Sequence, residues 1–388
     1  MASGKTLYAK EDRRLRMHGD KVDPVFLTLL LIILAVGLTM LYSASYAQSL
    51  YDTGYTSTTR YFAKQAIFGV MGLIAMALIS RVPAEFWLKT AWPLYWGSIV
   101  LLLLVLLFGQ TVNGAKRWIN IAGLQFQPSE IAKFTLILLF AKLTRGFGSD
   151  AKTFRYGVLG FSAALLGILV PLALERHLSA IMLMGMVAVV MMFVAGTKGR
   201  WLLAGAGAAL VFVIVYVSLL GYAGDRITAW FHPEEDPGDT GYQILQSLYA
   251  IGSGGLFGLG FGKSKQKYLY LPFQYNDYIF AVVCEELGLV GAVCIIVLFG
   301  AFILRGYWIA LRARDKFSTV LAAGLITQIA VQTILNMGVV SNLLPSTGVA
   351  LPFFSYGGTA LAVNLGEMGI LLSISRYRNR AARQEEIQ

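Results

Sequence analysis

Apolar runs of near-membrane length recur along almost the whole chain, each closed off by basic, proline- or glycine-rich punctuation. A helix takes about 20 apolar residues to cross a hydrocarbon core. Ten stretches reach or approach that length: 25–46, 61–80, 91–109, 128–143, 156–174, 179–196, 202–221, 277–304, 318–340 and 356–375. Helix is the form these runs must take, because in lipid each backbone N–H and C=O has to be paired inside its own segment. With 57% hydrophobic and 14% charged residues in 388, the chain falls well short of the roughly 25% charge of a soluble domain. The sequence therefore predicts an all-α integral membrane protein with ten transmembrane helices, the fourth run being short. The first run does not read as a cleavable signal, since a basic tail precedes it and no small-residue cleavage site follows before the polar loop at 47–60.

Lysine and arginine set the expected orientation. With the N-terminus cytoplasmic, 22 of these residues fall on the inside segments and nine on the outside ones, while Lys133 lies within a span. Positive charge collects on the cytoplasmic side of membrane proteins, so both termini are expected inside. The predicted layout is a basic tail (1–24), a membrane domain (25–376) and a second tail (377–388), with a long extracytoplasmic loop at 222–276 between spans seven and eight. That loop is aromatic toward its end and carries Gly252, Gly254, Gly255, Gly258, Gly260 and Gly262. Such glycines are expected where backbone turns sharply or lies against a ligand.

Several function classes drop out on residue type. The net charge of +11 is spread as punctuation between apolar runs, which favours a membrane partner over nucleic acid. Cys284 and Cys294 cannot build a disulfide framework, and His18, His177 and His232 lie too far apart for a zinc module. The segment at 258–264 ends in Gly-Lys-Ser like a phosphate-binding loop, but Phe257 occupies the place of the first required glycine. The acidic run His232, Glu234, Glu235, Asp236 and Asp239 lacks the spacing of a calcium loop and reads as a solvated surface.

The polar residues inside or beside spans remain. Pro128 suits the first turn of a helix, Glu130 its positive end, and Lys133 lies one turn deeper on the same face. A simple Glu130–Lys133 ion pair is one reading, and a polar cavity or anionic ligand is the other, since a lysine within a span costs about 2.5–3.5 kcal/mol on insertion scales. Trp118 by itself fits an interfacial belt. Asp277, at the head of span eight, reads as a helix N-cap or as a catalytic carboxylate. Glu285 and Glu286 follow about two turns deeper, Glu367 lies in span ten, and Glu175, Arg176 and His177 share the outer turn between spans five and six. Lys263, Lys265 and Lys267 alternate, so an extended segment would place them on one face, available to phosphate or to lipid headgroups.

Taken together, Lys116-Arg117-Trp118-Ile119, Gln127-Pro128-Ser129-Glu130-Ile131-Ala132-Lys133, Asn276-Asp277-Tyr278-Ile279-Phe280-Ala281 with Glu285-Glu286-Leu287-Gly288, and Leu351-Pro352-Phe353-Phe354-Ser355-Tyr356-Gly357-Gly358 resemble the SEDS family of bacterial cell-wall polymerases. The resemblance runs over nearly the whole membrane region. It implies a ten-helix fold in the bacterial cytoplasmic membrane and a peptidoglycan glycosyltransferase that joins lipid II units on the outer face. It matches the family's essential aspartate to Asp277 and its essential tryptophan to Trp118, and supports Arg117, Glu130, Lys133, Glu285, Glu286, Ser355 and Tyr356 as cavity residues. Lys116 joins this substrate-binding set with Lys263, Lys265 and Lys267. Two departures stand out: Arg176-His177-Leu178-Ser179 replaces a Pro-Asp-Leu-Gly, and Tyr275-Asn276 replaces a His-Thr pair. The C-terminal pattern looks closer to the FtsW and SpoVE branch, favouring division or sporulation over elongation.

The implied chemistry is attack of an acceptor hydroxyl on a lipid pyrophosphate donor, with Asp277 as general base. Cations, and a divalent Mg2+ or Mn2+ as a cofactor, would stabilise the leaving pyrophosphate. The partners implied are lipid II, the growing glycan strand, a class B penicillin-binding protein, other divisome proteins and membrane lipids, with no nucleic acid. Two rivals stand beside this reading. A lipid II flippase would be expected to show interrupted helices in matching halves, and the sequence shows no clear pair. A non-enzymatic septal scaffold would not need Asp277.

Overall fold

In the computed structural model, the described residues are 21–112, 115–121, 124–205, 207, 229–235 and 240–376. Ten α-helices appear among them. They are α1 (Pro24–Asp52), α2 (Arg60–Ile79), α3 (Ala84–Phe108), α4 (Pro128–Phe147), α5 (Phe161–Leu174), α6 (Leu178–Ala195), α7 (Thr240–Gly254), α8 (Ile279–Leu311), α9 (Lys316–Val340) and α10 (Gly358–Arg376). Among the described residues, eight spans are long and apolar enough to cross a membrane: α1, α2, α3, α5 with the π-helical turn Arg155–Gly160 before it, α6, α8, α9 and α10. The chain is thus a predominantly helical multi-pass membrane protein, and the all-α expectation is corrected by one small sheet. The lower hydropathy of α4 reflects Glu130, Lys133, Lys142 and Arg145. Most of the seventh expected span, 202–221, lies outside the described residues.

Burial sorts these helices into a centre and a rim. Nearly all of α9 is enclosed, against α4, α6 and α8, and α10 is enclosed largely by α2. On α2, by contrast, Val70, Met71, Ile74 and Leu78 are exposed, as suits a helix whose outer face meets lipid rather than water. At the start of the bundle the Asp23 carboxylate caps α1 by accepting from the Phe26 N–H at 2.9 Å, and Pro24 fills the first turn. Arg305 on α8 donates to both oxygens of Asp23, at 3.1 and 2.8 Å. The Asp23 N–H donates to Ser375 Oγ at 3.1 Å, so one residue ties α1, α8 and α10.

Between α3 and α4 the chain makes a three-stranded antiparallel sheet, β1 (Gln110–Val112), β2 (Ala115–Ile121) and β3 (Leu124–Phe126). Paired strands carry Arg117 and Trp118 as a shaped flap on the end of the bundle. The expected long loop is likewise structured: α7 lies inside it, packed against α8.

Beyond α7 the chain enters α8 itself. At Gly288 the helix is broken, with φ 67° and ψ −170°, about 14 Å along from Ile279 at 1.5 Å per residue. Two helical rungs are replaced there by bonds to the preceding segment. The N–H groups of Leu289 and Val290 donate to the carbonyls of Gly255 and Leu256 at 2.9 and 3.1 Å. The carbonyls of Glu285 and Glu286 accept from the N–H groups of Leu259 and Gly260 at 2.9 and 3.0 Å. Irregular backbone at membrane depth requires such partners. Gly258 is demanded by this fit, because a Cβ there would lie 2.1 Å from the Glu286 carbonyl oxygen. Nothing in the sequence signals this single break: Gly288 sits within an apolar run, and φ cannot be read from the letter alone.

Candidate functional site

The turn before α8 places Asp277, and neighbouring segments hold it. The N-cap position of α8 is Tyr278, with no side-chain cap bond of its own, and Asp277 lies one residue before it. Asn336 on α9, 1% exposed, donates through Nδ2 to the carbonyls of Asp277 at 2.6 Å and Val349 at 2.8 Å. Ser355 Oγ donates to the Asn276 carbonyl at 2.7 Å and accepts from the Leu351 N–H at 2.8 Å. From α2, Gln65 donates to the Ser355 carbonyl and accepts from the Gly357 N–H, both at 3.0 Å. The carboxylate, half-buried, lies against Gly348, where a Cβ would come within 3.3 Å of Oδ2. Gly348 has φ 67°, so glycine is favoured there on backbone grounds as well.

The loop that carries Gly348 also meets the head of α6. Arg117 donates to the Arg176 carbonyl at 2.6 Å, and Ser179 donates to the carbonyl of Thr347, the neighbour of Gly348. Lys133 Nζ and Glu130 Oε2 are 2.7 Å apart, both residues buried. The ion-pair reading from sequence is therefore present, and Lys133 also lines a small cavity with Gln328, Leu183 and Met184. Gln328 Nε2 donates to Glu367 Oε2 at 2.9 Å, which brings Glu367 toward the same interior cluster. In the turn between α5 and α6, burial pushes the Glu175 carboxyl up to about 8, against the opposing pull of Arg117. Burial, with the charges of Arg117 and Lys133, pushes His177 down to about 3. Both are neutral near pH 7.

Other expected residues serve elsewhere. The 263–267 segment is a run of turns rather than an extended strand, so its three lysines do not share a face. Lys263 and Lys265 are exposed, whereas Lys267 is 2% exposed and its Nζ lies 3.0 Å from Glu286 Oε1. Lys267 also donates to the Gly262 carbonyl at 2.6 Å and to Ser43 Oγ at 3.1 Å. Glu285 accepts from Ser264 Oγ at 2.5 Å and from the Lys265 N–H at 2.8 Å. Glu285, Glu286 and Lys267 therefore brace the segment that docks in α8. Lys116 is exposed and donates to the Leu106 carbonyl of α3 at 3.3 Å. Trp118 is half-buried on β2. His232 and Glu234 are exposed, with a 3.9 Å separation, and Asp236 and Asp239 lie outside the described residues. Sequence reasoning missed Gln65 and Asn336, although an amide inside an apolar span was a visible signal.

The same ordering of elements is found in known proteins. The family model described as cell cycle protein, FtsW/RodA/SpoVE, matches residues 24–380. The chain belongs to the FtsW/RodA/SpoVE family. Among relatives, the probable peptidoglycan glycosyltransferase FtsW of Geobacter metallireducens is 40% identical, over 92% of this chain and 95% of its own. Stage V sporulation protein E of Bacillus subtilis is 38% identical, over 92% and 97%. Among solved structures, a chain of a peptidoglycan synthase complex that coordinates polymerization and crosslinking superposes with TM-score 0.78 at 28% identity, covering 92% of this chain and 99% of that one. The rod shape determining protein RodA of Thermus thermophilus superposes with TM-score 0.68 at 27% identity, covering 92% and 97%. The FtsW/RodA/SpoVE fold thus extends over nearly all of the chain.

Proposed function

We propose that this chain polymerises lipid II into glycan strands at the outer face of the cytoplasmic membrane, with Asp277 as general base. Its family and its curated relatives make it a peptidoglycan glycosyltransferase. The observation that carries the role of Asp277 is its setting. The residue is half-buried beside Gly348, and its backbone is gripped by Asn336 while Ser355 grips the residue before it. Holding a base in one geometry is what converts a chance encounter into a productive one.

In the reaction the acceptor hydroxyl oxygen attacks the donor's anomeric carbon. The new glycosidic C–O bond forms as the bond to the lipid pyrophosphate breaks, and that electron pair leaves with the pyrophosphate. The hydroxyl proton passes to Asp277. Arg117 and Lys133 are the cations whose placement suits the charge growing on the leaving group, while Lys263 and Lys265 are exposed for phosphate or headgroup contact. Trp118 and Tyr356 offer aromatic surface to sugar or lipid. Among the described residues there is no group of three or more His, Cys, Asp or Glu side chains fit to hold a metal. Mg2+ or Mn2+ remains the proposed cofactor, and would supply charge stabilisation to the leaving pyrophosphate.

The proposed layout keeps ten crossings, cytoplasmic tails at 1–24 and 377–388, and the 222–276 segment outside, on the lysine and arginine balance. A class B penicillin-binding protein is the proposed partner, by analogy with the synthase complex that shares the fold. The similarity to FtsW and to the sporulation protein at 38–40% identity favours division or sporulation. The break in α8 lends some support to the flippase reading, since interrupted helices line transport paths. Among the described residues, however, that break is filled by the chain's own 255–260 segment. A vesicle assay of lipid II movement beside a polymerisation gel separates the two readings.

The test is Asp277→Asn, purified with its transpeptidase and supplied with lipid II. Polymer yield is expected to fall at least 100-fold while the complex stays folded, and synthesis at the parent rate removes Asp277 from the mechanism.

A further inference from the structure

Three tyrosines from three elements meet beside Asp277. Tyr61 is in the first turn of α2, Tyr275 in the turn before α8, and Tyr356 in the loop before α10. Ring centroids are 4.5 Å apart for Tyr61 and Tyr275, 5.0 Å for Tyr61 and Tyr356, and 5.9 Å for Tyr275 and Tyr356. All three are half-buried, so each side chain keeps some accessible surface. The cluster is fixed relative to Asp277 by backbone: the Tyr356 N–H donates to the Tyr275 carbonyl at 2.9 Å, and Tyr275 precedes Asp277 by two residues. The Tyr61 hydroxyl donates to Asp52, and Gln65, one turn further along α2, anchors the loop that carries Tyr356.

Asp277 follows Tyr275 by two residues and lies against Gly348, whose neighbour Thr347 accepts from Ser179. The charges of Asp52 and Asp277 act on Tyr275, and that of Arg60 on Tyr356. The charges of Arg117 and Lys133 act on His177, on the side that reaches Asp277 through Thr347 and Gly348. Burial raises the phenols of Tyr275 and Tyr356, so these rings are uncharged in any physiological range.

Displacement at the anomeric carbon brings the attacking oxygen in opposite the leaving group. An acceptor sugar therefore cannot occupy the wall that holds the donor's pyrophosphate. A base must also lie within about 2.6–3.2 Å of the proton-bearing oxygen, which puts the acceptor ring within a few ångströms of Asp277. A pyranose ring is uncharged, with apolar C–H faces and a polar rim, and tyrosine presents the matching combination of apolar ring and hydroxyl. We propose that Tyr61, Tyr275 and Tyr356 form the docking wall for the sugar that carries the attacking hydroxyl, leaving the Arg117 and Lys133 side to the donor's pyrophosphate. This assignment of subsites rests on the polymerase reading with Asp277 as base.

Donor and acceptor can be separated chemically. Lipid II whose terminal sugar has its attacking hydroxyl blocked acts as donor only, so its labelled coupling to ordinary lipid II gives one KM for each role. With the purified complex, Tyr61→Leu is expected to raise the acceptor KM about tenfold, a shift of the size that loss of one aromatic contact produces. Donor KM stays within about twofold and kcat within about threefold, as for a contact made equally in ground and transition states. Tyr61→Phe, which keeps the ring, stays within about twofold of the parent on both constants. Tyr356→Leu, in a loop rather than a helix, repeats the Tyr61→Leu pattern and serves if that variant fails to fold. Unchanged acceptor KM in the folded leucine variants, or a rise in donor KM of equal size, overturns the proposal. Asp277→Asn run alongside keeps the two claims apart. If it polymerises, the base assignment falls; if it is inactive while the leucine variants keep their acceptor KM, only the tyrosine wall falls.

Discussion

Replacing Lys267 by methionine isolates the energetics of the segment that docks into α8. Glu286 is fully buried and accepts from Ser43 Oγ at 2.7 Å, from Lys267 Nζ at 3.0 Å and from the Ser264 N–H at 3.3 Å. Methionine fills much of the lysine stem's volume but supplies no charge and no donor. The carboxylate then remains in an apolar surround with only neutral donors, a change that costs about 3–5 kcal/mol for a broken buried pair. At about 2 °C per kcal/mol, the upper-size end of the usual scaling, the thermal midpoint should fall by roughly 6–10 °C. Glu286→Gln added to Lys267→Met removes the orphaned charge, and the double variant should recover at least half of the loss. Thermal unfolding of all four proteins in one detergent gives the coupling directly. Equal midpoints for the single and double variants would refute the claim that charge pairing, rather than packing, secures this segment.

Gly258→Ala should be more damaging than a typical loop substitution, because its Cβ meets the Glu286 carbonyl oxygen at 2.1 Å and φ is 79°. Loss of more than about 2 kcal/mol is expected, read as a lowered midpoint and reduced yield of folded protein. The turn between α5 and α6 gives opposite pH signatures. Glu175, raised to about 8, favours the folded state below its unfolded pKa and loses that contribution as pH climbs toward 8. Glu175→Gln should therefore gain stability relative to the parent between pH 5 and 8, by roughly the widening gap linkage predicts. His177, lowered to about 3, contributes fully above its unfolded pKa of about 6.5 and loses it as pH falls, so His177→Gln should blunt destabilisation between pH 6.5 and 4. Asn336→Leu removes the bonds to both the Asp277 and Val349 carbonyls, and a loss of kcat of about tenfold or more with little change in KM is expected in steady-state polymerisation.

Much of the fold was legible because spanning lipid leaves few options. Apolar length alone located the eight spans with membrane hydropathy, and Pro128, Glu130 and Lys133 marked the head of α4 in advance. The break at Gly288 was not legible, since its cause is a partner segment about thirty residues upstream that only three-dimensional packing brings alongside. The same holds for Lys267. Alternation suggested one basic face, but the turns at 263–267 send one lysine inward to Glu286 and leave two outside. At Asp277 the sequence left cap and catalyst open, and the helix begins at Ile279 with Tyr278, one residue on, at the N-cap position. Asn336 was overlooked because a lone amide in an apolar run has no spacing signature; its function depends on carbonyls at 277 and 349, which are far apart in the chain.

The seam at Gly288 has a bearing on how the protein matures in the bilayer. The turns of α8 around Gly288 complete their backbone pairing only with residues 255–260, so they cannot shed their water until α7 and its trailing glycines lie alongside. Because those glycines are synthesised first, they must wait, half-paired, for the rod that will receive them. A chain stalled between the two would expose polar backbone at membrane depth, which gives quality-control proteases a defined window in which to act.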